Sequence, residues 1–148
     1  MVPPLRGGVV VTERDPEEIA RMACRWIATS HARWWQLVDL CKWSAARHPR
    51  WRIRRGDVWA RAQERGWDVS TCRQFRFDNT LWAPLSRYAI MCSPRLALHI
   101  RPRSSPLDEV DLRAVWEAVV GDSSCLVLDD WRDAECRQAS PSRAGCPA

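Results

Sequence analysis

Charged side chains interrupt this chain so often that the longest stretch without one is eight residues, Asn79 to Ser86. A membrane-crossing helix needs about 20 consecutive apolar residues, so the sequence predicts none. What the charges leave intact is a recurrence of apolar residues at spacings of three and four, the mark of helices with one buried face. With 148 residues, 46% of them hydrophobic and 28% charged, the chain has the size and balance of one globular domain. A domain of this length buries roughly 70% of its unfolded surface and needs no staple or metal for its core. Gly7 to Thr12 is too short for the apolar region of a secretory leader, and the acidic stretch Glu13 to Glu18 follows at once, so a cytoplasmic location is expected. Seven cysteines with no CxxC pair suit a reducing compartment. Cys24, Cys41, Cys72 and Cys92 sit in apolar helical contexts and are expected to act as small buried hydrophobes.

The clearest local signal is Asp15-Pro16-Glu17-Glu18. It supplies a cap acceptor, a proline preset at the first helical position and carboxylates where free backbone N–H groups favour them. A helix is predicted from Pro16 to about Thr29, with Ile19, Met22, Ala23, Trp26 and Ile27 on its inner face. Ser30 is expected to cap a second helix with the stripe Trp34, Leu37, Val38, Cys41 and Ala45, ended by His48-Pro49. Gly56-Asp57 opens a third, Val58 to Arg65, and Ser70 a fourth, Thr71 to Phe77. Another follows Asp78-Asn79-Thr80, carrying Leu81, Trp82, Leu85, Tyr88, Ala89 and Met91 inward; Pro84 is compatible with it if placed in the first turn.

Three segments carry a strand signature. They are Gly8 to Thr12, the alternation Leu96, Leu98, Ile100, and the apolar run Cys125 to Leu128, the last two flanking a helix predicted from Ser105-Pro106 to Gly121. The expected fold class is therefore α+β: a mostly helical single domain over residues 1–139 with a small sheet of short strands, and a frayed tail over 140–148. Of the ten Trp, four (Trp26, Trp34, Trp82, Trp116) fall on core faces, whereas Trp35, Trp43, Trp51 and Trp131 are expected nearer solvent.

The net charge of +5 is unevenly spread. Residues 1–44 carry +1, residues 45–76 carry +6, and residues 77–148 carry −2. Leu107 to Glu135 holds nine acidic residues against Arg113 and Arg132. A basic middle and an acidic end imply either a polyanion-binding face turned away from the acidic part, or pairing of the two within the chain. Of 23 basic residues only Lys42 is a lysine. No glycine loop precedes it, which removes P-loop chemistry.

Within the basic segment, Ala62, Gly66, Trp67, Cys72 and Phe75 are spaced as a small residue mid-helix, a turn glycine and apolar braces of a second helix. On these residues Val58 to Phe77 resembles the helix-turn-helix of DNA-binding regulators, with Arg61 and Arg65 standing where apolar residues are usual. The resemblance implies a helix-turn-helix-like corner whose second helix turns Thr71, Arg73, Gln74 and Arg76 toward a major groove. Arg50, Arg52, Arg54 and Arg55 then contact phosphates, and Arg101 and Arg103 form a wing. The same segment also fits an ordinary pair of packed helices with a solvated basic face.

The expected function is a noncatalytic nucleic-acid-binding regulator, with duplex DNA as partner, no cofactor, and a second copy of the chain as a further candidate partner. Two alternatives stay open. Asp129 and Asp130, at the end of an apolar run, suit Mg²⁺ in a nuclease. A protein-interaction module would instead use the acidic segment 107–135 or exposed Trp. His31, His48 and His99 form no ligand spacing.

Overall fold

The computed structural model describes residues 15–47, 50, 52–64 and 79–134. Five α-helices run in chain order: α1 Pro16–Thr29, α2 His31–Arg47, α3 Arg55–Glu64, α4 Asn79–Cys92 and α5 Leu112–Val119. Two 3-10 turns, Pro94–Leu98 and Pro106–Glu109, separate α4 from α5. Helix α1 is central and packs against α2, α4, α5 and the second turn, while α3 leans on α2.

Local chemistry explains the element ends. Asp15 caps α1 by accepting the Glu18 N–H at 3.2 Å, and the helix spans the residues predicted from that cap. Ser30 starts α2 through its carbonyl, which accepts the Trp34 N–H at 2.9 Å; among the described residues its hydroxyl finds no partner. Helix α3 begins three residues before the position expected from Gly56-Asp57. Asp57 Oδ2 reaches back to the Arg54 N–H at 3.0 Å, the carboxylate half of a capping box. Pro84 falls at the sixth residue of α4 rather than in its first turn. The Ala83 carbonyl just before it accepts both the Ser86 hydroxyl at 2.9 Å and Arg87 Nη1 at 2.8 Å.

The core joins Ile27, Trp34, Leu37, Leu40, Leu85, Tyr88, Ile90 and Trp116, all buried. Trp116 lies between Trp34 and Tyr88, with ring centroids 6.3 and 5.3 Å away, and its indole N–H donates to the Asp122 carbonyl at 2.9 Å. Trp26 and Trp82 are only half-buried, as are Trp35, Trp43 and Trp131. Cys24 and Cys41 are buried and Cys92 half-buried; Cys72 lies outside the described residues.

The expected sheet is not there. Among the described residues no strand forms, and the architecture is α-helical rather than α+β. Leu96–Ile100 alternates in sequence, but Pro94 starts a tight turn in which the Ser93 carbonyl accepts from Leu96 and the Leu96 carbonyl accepts from His99 and Ile100. That winding buries Leu96, His99 and Ile100 and leaves Leu98 47% exposed, whereas a strand would turn Leu98 to the same side as its neighbours. In residues 126–128, Leu126 and Leu128 turn inward and Val127 outward. Their backbone partner is the end of a helix, since the Val127 and Leu128 N–H groups both donate to the Met91 carbonyl, at 2.8 and 3.2 Å. The single helix predicted from Ser105-Pro106 is split in two. Ser105 and Asp108 make a capping box for the short turn, and Asp111 caps α5 separately through the Ala114 N–H. The run Gly8 to Thr12 and the tail 140–148 lie outside the described residues. Among the described residues no helix is long and apolar enough to cross a membrane.

Candidate nucleic-acid interface

Two segments almost fifty residues apart meet along one edge of the protein. Residues 52–54 run beside residues 99–101, joined by the Ile53 N–H donating to the His99 carbonyl at 2.9 Å and by Arg52 Nη2 donating to the Arg101 carbonyl at 3.0 Å. Ile53 and Ile100 are buried. With these two anchors turned inward, the chain directions that flank them carry Arg52, Arg54, Arg101 and Arg103 outward, and all four are exposed. One backbone bond is too little for a strand pair, but it fixes the register of the four arginines.

A groove of about 520 Å³ lies between these segments, lined by Arg52, Arg54, Arg101 and Arg103, by Ser104 and Ser105, and by Trp82, Ala83, Ser86 and Arg87 of α4. Arg50 is exposed nearby in sequence, and Arg55 is the first residue of α3. Among the described residues no carboxylate forms an ion pair with Arg50, Arg52, Arg54, Arg101 or Arg103. Arg61, by contrast, is paired with Glu64 on the same helix. In α3, Val58 and Ala62 are buried. The turn and second helix of the helix-turn-helix candidate, with Thr71, Arg73, Gln74 and Arg76, lie outside the described residues.

Arg87, which no motif singled out, is the buried element of this site. Its guanidinium bonds Asp108 Oδ1 through Nη2 at 3.3 Å, the Ala83 carbonyl through Nη1 at 2.8 Å, and the Arg103 carbonyl through Nη2 at 2.7 Å. It also stacks over the Trp131 ring at 5.1 Å. Burial pulls its pKa below the ordinary arginine value, and the facing Asp108 carboxylate opposes that. The sequence did hold a signal: Arg87 is the lone charge between Asn79 and Pro94, and a single charge inside an apolar helix implies a buried partner. Arg87 thereby fixes the backbone from which Arg103 projects.

The acidic end of the chain forms a second groove, of about 480 Å³, lined by Asp108, Glu109, Asp111, Asp129, Asp130 and Trp131 among others. Asp129 and Asp130, the pair singled out for a metal, are engaged within the chain. Asp129 pairs with Arg113 at 2.9 Å and Asp130 with Arg132 at 2.7 Å, and the Arg132 contacts hold the Asp130 carboxyl below its usual range. Asp129 and Asp130 thus face different guanidinium groups. Among the described residues no cluster of three or more His, Cys, Asp or Glu is placed to hold a metal. The two grooves therefore differ: carboxylates of the acidic part meet Arg87, Arg113 and Arg132, whereas among the described residues none pairs with Arg52, Arg54, Arg101 or Arg103. No family model, curated protein or solved structure matches this chain.

Proposed function

We propose that this protein binds nucleic acid, with its phosphate backbone lying along the groove of Arg52, Arg54, Arg101 and Arg103. One observation carries the reading: four exposed guanidinium groups from two distant segments line a single groove, and among the described residues no carboxylate pairs with them. Like charges gathered this way repel one another, and a polyanion relieves that repulsion while releasing its own condensed counterions. Guanidinium also suits the site because its planar fork matches phosphate oxygens two at a time. Trp82 and Ala83 of α4 give the groove an apolar stretch suited to sugar or base.

Phosphate contacts supply affinity without sequence information. Sequence reading would come from the second helix of the motif, through Arg73, Arg76 and Gln74, which makes duplex DNA the target to test first. The protein is then a binding module, and the proposed regulatory role follows from that.

Fluorescence anisotropy of a labelled mixed-sequence duplex at low salt tests the reading. Wild-type protein is expected to bind at micromolar concentration, in the range of nonspecific DNA binders. The variant Arg52→Ala/Arg54→Ala/Arg101→Ala/Arg103→Ala is expected to lose at least about tenfold. Absence of binding by wild type, or equal binding by the variant, overturns it.

A further inference from the structure

Helix α4 ends at Cys92, one residue beyond the Met91 carbonyl that accepts the Val127 and Leu128 N–H groups. Cys125 sits two residues before Val127, in the turn that delivers residues 126–128 to the helix end. Two backbone bonds and the buried side chains of Leu126 and Leu128 hold the turn in place. Arg113 braces it from the other side, donating to the Ser123 hydroxyl at 3.0 Å and the Leu126 carbonyl at 2.7 Å.

The consequence is that the two backbone bonds to Met91 bring Cys92 and Cys125, from opposite sides of α5 in the sequence, to neighbouring positions, where each thiol influences the ionisation of the other. Both are half-buried and reduced. Cys125 also lines a cleft of about 450 Å³ with His31, Trp35 and Asp122, so a small reagent reaches it first, while Cys92 is approached through its partner. The other described cysteines differ. Cys41 is fully buried, and the buried Cys24 thiol donates to the Tyr88 hydroxyl at 3.2 Å.

We propose that Cys92 and Cys125 are a dithiol site that closes to an intramolecular disulfide by exchange with a small disulfide such as oxidised glutathione. In the first step the Cys125 thiolate attacks one glutathione sulfur; the glutathione S–S bond breaks, a Cys125–glutathione bond forms, and one reduced glutathione leaves. In the second, the Cys92 thiolate attacks Cys125 Sγ and displaces the second reduced glutathione. The two protons lost by the cysteines end on the two glutathione thiols. Two cysteines are oxidised and one oxidised glutathione is reduced, so the electrons balance. The link ties the end of α4 to the segment that follows α5. Burial disfavours the thiolate at both cysteines, so the exchange is slow and is followed over hours.

The full chain is incubated with oxidised glutathione, alkylated, and examined by intact mass and peptide mapping. The expected product lacks two hydrogens, carries no glutathione and yields one linked peptide pair holding Cys92 and Cys125. Its melting midpoint is expected to rise by about 5 °C. Cys92→Ala removes the resolving thiol, so a glutathione adduct is expected to persist on Cys125 where the wild-type product carries none. Changing Cys72, Cys136 and Cys146 to Ser is expected to leave the link intact. A wild-type product linked through other cysteines, or carrying only adducts, overturns the proposal. So does a folded Cys92→Ala protein whose Cys125 stays unmodified.

Discussion

Arg87 Nη2 stands 3.3 Å from Asp108 Oδ1 where two grooves of opposite character meet, with Arg87 on the wall of the basic one and Asp108 on the wall of the acidic one. The Arg87 side chain is 1% exposed and that of Asp108 18%, so the pair is largely removed from water. Breaking such a pair leaves a buried charge without its counter-charge, at a cost of about 3 to 5 kcal/mol. Asp108 also accepts the Ser105 N–H of the capping box at 3.1 Å. Asp108→Asn is expected to lower stability by about 3 kcal/mol in urea unfolding. A loss under about 1 kcal/mol would mean that solvent, not Asp108, balances Arg87.

Leu96 and Leu98 distinguish the turn from the strand that their alternation suggests. Leu96 is 2% exposed and Leu98 47%. Leu96→Ala is expected to cost about 2 to 4 kcal/mol, and Leu98→Ala under about 0.5 kcal/mol. Chemical denaturation of the two variants checks this. Equal losses would restore the strand.

How far the sequence could be read follows from such cases. The bounds of helix α1 were legible because its cap and its proline are local and agree, but its inner face is turned from the expected stripe: Ala20 and Cys24 are buried, and Ile19, Met22 and Trp26 only half-buried. The strand expected at Cys125 to Leu128 kept only its alternation, with Leu126 and Leu128 inward and Val127 outward, because its backbone partner is the Met91 carbonyl at the end of a helix and not another strand. At residues 94–100 a period of two and a tight turn both place Leu96 and Ile100 on the same side, and the exposed Leu98 and buried His99 tell them apart. The site was half legible. Charge alone marked Arg52, Arg54, Arg101 and Arg103, but their joining depends on the buried Ile53 and Ile100, and on Arg87 through the Arg103 carbonyl. No spacing rule links residues so far apart.

Stability is expected to fall in alkali. Burial pushes the Cys24 thiol from 9.0 up to about 11, with the Tyr88 hydrogen bond and Arg25 opposing, and burial pushes Cys41 up to about 12. Both stay protonated in the folded state while the unfolded chain ionises near 9.0. Their contribution is complete below pH 9.0 and is lost as pH rises toward 11 and 12. Urea unfolding across that range is expected to show the decline, and Cys41→Ala to flatten it. An unchanged slope in Cys41→Ala would contradict the assignment.

The acid side has the opposite sign. Hydrogen bonds from the Arg132 side chain hold Asp130 below 3.8, with backbone bonding and charge from Arg132 adding to them and burial opposing. Its contribution is present above pH 3.8 and is lost as pH falls through the lower folded value. Asp130→Asn is expected to weaken the acid dependence below pH 3.8 while changing neutral stability little. Identical acid limbs for the variant and wild type would show that the pair does not persist in solution.

The central claim is that the groove arginines carry phosphate contacts, and the salt dependence of duplex binding tests it most directly. Each neutralised phosphate contributes about −0.9 to the slope of log K against log salt concentration. Removing two contacts with Arg101→Ala/Arg103→Ala is therefore expected to make the slope shallower by about 1.8, with the fold unchanged by circular dichroism. Parallel lines for wild type and the variant would place the phosphate contacts elsewhere and contradict the account.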